Sequence, residues 1–235
     1  MGLSGAARVS GWMLGSLLLA LLALMPVGAV VFFAIDSSGD IWGHLVRTSL
    51  FGYISNTFWL LLGVGISVFL TGVSTAWLVT MCRFPGRRVF EWLLLFPLAI
   101  PAYVIAYAYT DFLEYAGPVQ GLLRALFGWQ SAQEYFFPEI RSLGGAMVFM
   151  GLVLYPYVYL LARSAFLEQS VNVLEVSRVL GRGPWRTFST VSLPAARPAI
   201  VVGVSLALME TLNDYGTVDF FAVYTMTAGL VDVWL

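Results

Sequence analysis

The chain of 235 residues contains no lysine, one cysteine (Cys82) and one histidine (His44), and only 11% of it is charged. A lone cysteine excludes an internal disulfide framework and any cysteine-held metal cluster, and a lone histidine excludes a histidine-based metal site. Without lysine there is no glycine-rich phosphate loop ending in Lys-Ser or Lys-Thr, so the chain supplies no nucleotide site of that kind itself. No paired catalytic motif stands out either. The scarcity of charge is the most informative lack, because a soluble domain of this size needs a charged surface to cover it. With 60% of the residues hydrophobic and a net charge of −1, the composition is that of an all-α polytopic membrane protein. Nothing in the charge balance points to nucleic acid.

About twenty apolar residues are needed to cross a bilayer core. Trp12 to Ile35 is an uncharged run of that kind, interrupted only by Pro26, and it ends in the acidic turn Asp36–Asp40. It is longer than the apolar region of a cleaved signal sequence, the competing reading. Residues 41–56 read as a loop or a short surface helix. Further spans are expected near 57–81, 89–110, 143–162 and 198–216, five in all. The third carries Pro97 and Pro101 and must kink; the fourth is interrupted by Pro156. Gly121 to Phe127 reads as a short surface helix. Two parts follow: 1–56, a first span and its outer loop, and 57–235, the main helical bundle.

Between the fourth and fifth spans lies a polar, arginine-rich segment, Glu175 to Pro194. Val173, Val176 and Leu180 recur at helical spacing before Gly181, the usual residue just past a helix end. Gly183-Pro184 gives a cap and a first-turn proline. Trp185, Phe188 and Val191 then continue one apolar stripe until Leu193-Pro194, where the pattern predicts a stop. Two short amphipathic helices at a membrane face describe a docking element; an interfacial hairpin of unrelated purpose is the alternative.

Orientation follows from the arginines. Arg8, Arg83, Arg87, Arg88, Arg163, Arg178, Arg182, Arg186 and Arg197 fall on one side of this threading, and Arg47, Arg124 and Arg141 on the other. Nine against three places the amino terminus and the Glu175–Pro194 loop in the cytoplasm.

Glu175, Gly181, Leu193 and Pro194 also stand at the spacing Glu, six on to Gly, then an aliphatic and x-Leu-Pro. That resembles the cytoplasmic loop of the permease subunits of binding-protein-dependent ABC transporters, from about Ser55 to Leu235. Val176 and Ser177 replace the two alanines usual after the Glu; serine is still small, whereas valine would hold a facing helix further off. The resemblance implies a type I importer permease of the bacterial inner membrane. Its partners would be cytoplasmic ATPase subunits, which carry the ATP and magnesium, a periplasmic substrate-binding protein, a second permease half and membrane lipid. The chain itself would hold no cofactor and be no enzyme. Glu175, Ser177, Gly181, Leu193 and Pro194 would form the ATPase-coupling element.

Arg83–Arg88, Phe96–Tyr103 and Met209–Thr217 look most like the ferric-iron branch, although thiamine, phosphonate, sulfate and polyamine permeases share the loop. The chain resembles one half, or a fragment, of a longer permease. Along the path wall, Tyr103, Tyr107 and Asp111 share a face at i, i+4 and i+8, and Glu210 and Asp214 share one at i and i+4. For the tyrosines an interfacial aromatic belt is an equal alternative, and for the carboxylates a hydrogen bond to a neighbouring helix. Glu210 also keeps open an ion-coupled secondary transporter. A reporter fused after Arg186 should be cytoplasmic; periplasmic activity at that position would overturn both the orientation and the docking reading.

Overall fold

The computed structural model describes residues 11–36, 49–169, 175–177, 179, 181 and 183–234. His44, Arg8, Arg47, Arg178 and Arg182 lie outside the described residues. The chain divides into two units, residues 1–49 and 50–235. Among its described residues the first contains α1 (Gly11–Asp36), which passes through Pro26 and is apolar along Trp12–Ala29.

The second unit is built of helices, with no strand among the described residues. In order they are α2 (Leu50–Met81), α3 (Arg87–Leu93), a 3-10 turn (Phe96–Ala99), α4 (Ala102–Leu113) and α5 (Pro118–Phe127). Then come α6 (Leu143–Leu167), α7 (Pro184–Thr187), a π turn (Phe188–Ser192), α8 (Leu193–Asn213), α9 (Tyr215–Phe220) and α10 (Met226–Trp234). With α1, the helices α2, α6 and the continuous rod Pro184–Asn213 are long and apolar enough to cross a membrane.

The expected span at 89–110 is not one helix. The two prolines and the turn between them bend it by 99°, between Arg87–Ala99 and Ala102–Phe127. Pro97 and Pro101 each lack an amide hydrogen, so a straight helix would forfeit bonds at both. The broken segment nevertheless runs the length of α6. Glu91 meets Arg163 (3.5 Å), Tyr155 donates to the Leu94 carbonyl (2.8 Å), the Tyr109 ring packs at a tilt on Phe149 (5.6 Å), and Glu114 meets Arg141 (2.9 Å). Those contacts climb α6 from its last turns back past its first. The segment is therefore a crossing in two pieces rather than a loop that returns.

Three other boundaries move. Helix α2 begins at Leu50, not Thr57, because Asn56 and Thr57 are satisfied within the fold. Asn56 donates to the Tyr224 carbonyl (3.0 Å), and Thr57 bonds the Tyr53 carbonyl (2.8 Å) and accepts from the Met226 amide (2.9 Å). Helix α6 continues unbroken through buried Pro156, since packing on its neighbours holds a helix across a missing bond. Its start is capped by Ser142, which accepts from the Gly145 amide (3.1 Å). The last long helix does not stop at Pro194 and begin at Pro198. It runs from Pro184 through the π turn to Asn213, with Pro194 in the first turn of α8.

Helix α6 is the centre of the bundle. A β-carbon at Gly72 would lie 2.7 Å from Val158 Cβ and 3.0 Å from the Tyr155 carbonyl, and one at Gly203 would lie 2.8 Å from Val158 Cα. Gly63 faces Met147 and Gly151 faces Ser67 in the same way. Small residues let apolar spans meet backbone to backbone. The pairs also fix direction: 63 with 147, 72 with 158 and Trp77 with Phe166 show that α2 and α6 run parallel. Ser192 with Gln169 and Gly203 with Val158 show α8 antiparallel to α6.

The glycine contacts separate two substitutions. At Gly203 the obstruction is α6 backbone, so Gly203→Ala should destabilise the protein by about 1–3 kcal/mol. At Gly63 it is the flexible thioether of Met147, which can turn aside. The thermal midpoint in detergent should fall for Gly203→Ala and stay near the native value for Gly63→Ala; equal midpoints would refute the packing argument.

Candidate functional site

Two groups of sequence-predicted residues lie at opposite ends of the bundle. The first is the arginine-rich end. Glu175, Val176, Ser177 and Val179 are helical, and Gly181 follows with φ 76°. No atom lies within 4 Å of where its β-carbon would be. Glycine is required there by backbone conformation and not by space. Gly183 caps α7 in an extended conformation with Pro184 at the first turn, as the sequence indicates.

Ser177 is only 4% exposed, and its hydroxyl lies 2.9 Å from that of buried Thr187. This pair pins the first arm of the loop to α7. Val176, by contrast, is exposed, so the valine does not separate the two arms; serine takes the contact. The apolar stripe is also divided. Phe188 packs on Trp77 (4.7 Å) and Phe166 (6.5 Å between ring centroids), whereas Trp185 is 77% exposed and touches Phe188 edge-on. Glu175 is exposed, and Leu193 and Pro194 are half-buried in the continuing helix.

Sequence reasoning missed how this loop is tied to the spans. Arg163 and Arg87 both meet Glu91, at 3.5 and 3.6 Å, and Arg87 also donates to the Thr80 carbonyl (3.1 Å). That ties α2, α3 and α6 together beside the loop. Gln169 donates to the Ser192 carbonyl (2.9 Å), while Gln169 Oε1 and Ser192 Oγ are buried without a partner. The π turn itself has no glycine or proline to announce it. Its only signal is the hydroxyl run Ser189, Thr190, Ser192, of which Thr190 donates back to the Arg186 carbonyl (2.6 Å). Such back-bonding competes with the helix's own ladder.

At the opposite end, Tyr103, Tyr107 and Asp111 do share one exposed face of α4. Glu210 is exposed on α8. Asp214 stands one turn on, its amide bonded to the Glu210 carbonyl (3.0 Å), but its carboxylate is committed elsewhere. The helix ends at Asn213, and Asp214 turns extended (φ −78°, ψ 99°) to become the N-cap of α9. Its carboxylate accepts from the Thr217 amide (2.8 Å) and from the Thr217 hydroxyl. Asp is a favoured cap because a short carboxylate reaches an orphan amide of the first turn, and that local gain ends the long helix.

Gly216 lies between Asp214 and Tyr103. A β-carbon on Gly216 would lie 3.4 Å from Tyr103 Cβ and 3.9 Å from Asp214 Oδ1, and Tyr107 meets the Phe220 ring at 5.6 Å. Beside them Arg141 binds Glu114 and lies over the Phe220 ring, 4.8 Å from its centroid. A recess of about 560 Å³ opens here, walled by Glu114, Gln120, Tyr135, Glu139 and Arg141. No group of three or more metal-ligating side chains occurs among the described residues.

The family model described as binding-protein-dependent transport system inner membrane component matches residues 68–230. That range takes in both ends of the bundle described above and starts somewhat later than the resemblance traced from Ser55. The molybdenum transport system permease protein ModB of Escherichia coli K12 is 30% identical over 150 residues, covering 64% of this chain and 62% of ModB. The chain thus spans less than two thirds of that relative's length. The putative 2-aminoethylphosphonate permease PhnU of Salmonella choleraesuis is 29% identical over 218 residues, 89% of this chain and 74% of PhnU. The sulfate permease CysT of E. coli K12 is 27% identical over 209 residues, with 88% and 72% coverage. All three are named as transport permeases, not as enzymes.

The capping role of Asp214 has a direct check. Asp214→Ala should cost about 0.5–2 kcal/mol of stability, whereas Asp214→Asn, which still caps, should cost much less. Thermal midpoints measured side by side decide it; an Asn variant as unstable as the Ala variant would show that the charge, and not the cap, is what the fold needs.

Proposed function

The chain belongs to the family of binding-protein-dependent transport system inner membrane components, and on that premise we propose that it forms one transmembrane half of an ATP-driven importer. In this reading the Glu175–Pro194 loop docks on a cytoplasmic ATPase subunit. A periplasmic binding protein delivers substrate to the opposite end, and a second permease half completes the path. ATP and magnesium belong to the ATPase. The observation that carries the reading is the construction of the loop. Gly181 turns the chain, Ser177 locks the first arm to α7, and α7 continues through the π turn into a membrane-length helix. A displacement of the loop by a partner is thereby delivered to α8 and, through Gly203, to α6. Exposed Glu175, Val176 and Trp185 are left to meet the partner.

The arginine count supports a cytoplasmic loop. Among the described residues Arg83, Arg87, Arg88, Arg163, Arg186 and Arg197 lie toward the loop end, against Arg124 and Arg141 at the other. For the substrate we propose ferric iron. Asp111, Glu139, Asp214 and Asp219 give the outer end an excess of carboxylate among the described residues, and its two described arginines are engaged, Arg124 with Tyr135 and Arg141 with Glu114. Glu210, exposed on α8, and Tyr103 and Tyr107 would line the wall between, with Asp214 acting chiefly as a cap. The second reading is an oxyanion substrate, favoured by the names of the molybdenum, sulfate and phosphonate permeases that the chain resembles.

The test is made in cells that also express the ATPase and binding protein. Glu175→Lys and Gly181→Val should leave the protein in the membrane at its normal level, weaken recovery of the ATPase subunit by about tenfold or more, and abolish uptake. A β-carbon at a left-handed position costs on the order of 1 kcal/mol or more, enough to redirect the loop but not to unfold the bundle. Normal uptake by both variants would remove the coupling role. Uptake of labelled ferric iron, molybdate, sulfate and 2-aminoethylphosphonate by the unaltered protein decides the substrate; uptake of an oxyanion without iron would overturn the iron proposal alone.

A further inference from the structure

Helix α5 is built inside out. Its polar side chains point into the protein: Gln120 is 6% exposed, donates to the Leu113 carbonyl (2.8 Å) and accepts from the Tyr135 hydroxyl. Arg124, the single charged residue between Pro118 and Gly128, donates to Tyr135 (3.1 Å) and lies over the Tyr115 ring at 4.0 Å. Its apolar side chains point away. Leu122, Leu126 and Phe127 are 62%, 70% and 63% exposed. A short helix in water adopts the reverse arrangement, because burying polar groups while exposing leucines is unfavourable on both counts.

From this inversion we infer that the outward face of α5 lies in the lipid interface of the bilayer, at the end of the bundle opposite the arginine-rich loop. The inference rests on the spanning helices and not on the importer reading. Three further observations select lipid as the occupant. The segment lies between the end of α4 at Leu113 and the start of α6 at Leu143, and the Glu114–Arg141 pair (2.9 Å) holds those two ends together at one end of the bundle. The exposed face carries no charge with which to recognise a charged protein partner. Where this protein packs helix on helix it uses glycine, at Gly72, Gly151 and Gly203, whereas α5 presents long, flexible leucines, the residues that suit acyl chains.

Phe127, Trp129 and Tyr135 then form a stacked row, with centroids 4.7 and 4.8 Å apart. Aromatic rings of this kind sit at headgroup level. Gln120 and Arg124 hold the row from beneath, so α5 and the residues up to Tyr135 form a preassembled plate rather than a loop that orders on contact.

The test uses the full chain reconstituted in vesicles of phosphatidylethanolamine and phosphatidylglycerol. In a Cys82→Ser background, a nitroxide is attached at Leu122→Cys or Leu126→Cys, and at Glu168→Cys as a water-exposed reference beyond α6. Collision with lipid-soluble oxygen relative to a water-soluble nickel chelate should be several-fold higher at 122 and 126 than at 168. Equal ratios would mean that the face is in water and would overturn the inference. Immobile labels, shielded from both reagents, would mean that protein covers the face, and would overturn it equally. Should the cysteine variants fail to fold, a lipid-confined carbene reagent applied to the unsubstituted protein gives the same decision. Adducts should appear on the 118–127 peptide as they do on the spanning helices, and their absence there would overturn the inference.

Discussion

The structure depends on the backbone-close contacts that α6 makes with its neighbours. Lipid tails are as apolar as leucine, so in a bilayer helices gain little from hydrophobic burial and must instead be held by shape and by a few polar links. Helix α6 meets α2 at Gly63, Gly72 and Gly151 and meets α8 at Gly203. At Gly72 and Gly203 the missing side chain admits α6 backbone, and at Gly63 and Gly151 it makes room for the Met147 and Ser67 side chains. These contacts make α2, α6 and α8 one packed unit, on which the broken crossing and the loop are hung.

The broken crossing illustrates how polar links complete that unit. Pro97 and Pro101 strip hydrogen bonds from a segment that has to pass through apolar surroundings, where an unpaired carbonyl is expensive. The hydroxyls of Tyr155 and Tyr159, both on α6, donate to the carbonyls of Leu94 and Glu91. The side chain of Glu91 in turn gathers Arg87 and Arg163. The residues that relieve the kinked segment therefore also attach it to the centre of the bundle, next to the loop that leads into α8.

Much of this was legible in the chain itself. Long apolar runs mark the crossings, paired prolines mark the kink, and Gly181, Gly183 and Pro184 mark the loop's turn, because each depends on local chemistry. The remainder was set by tertiary partners. Leu50 begins α2 because Tyr224 and Met226 satisfy Asn56 and Thr57. Pro156 fails to break α6 because neighbours pack around it. The carboxylate of Asp214 is taken up as a cap because Thr217, three residues on, offers it an amide and a hydroxyl. The π turn and the Ser177–Thr187 lock were invisible for the same reason: no spacing rule announces them, and only the packed neighbour gives those hydroxyls their roles.

The parallel alignment of α2 with α6 also bears on how the protein is made. Parallel neighbours cannot be joined by a short hairpin, and Gly63 lies 84 residues before its partner Met147 (147 minus 63). At the usual pace of synthesis that interval is roughly 4–17 s. For that time α2 stands in the membrane with its glycine face turned to lipid. The broken crossing is inserted during the wait, before α6 arrives to close over both. The central contact of the finished protein is thus among the later ones to form, and a nascent chain interrupted in that interval exposes the surface most ready to accept a foreign helix.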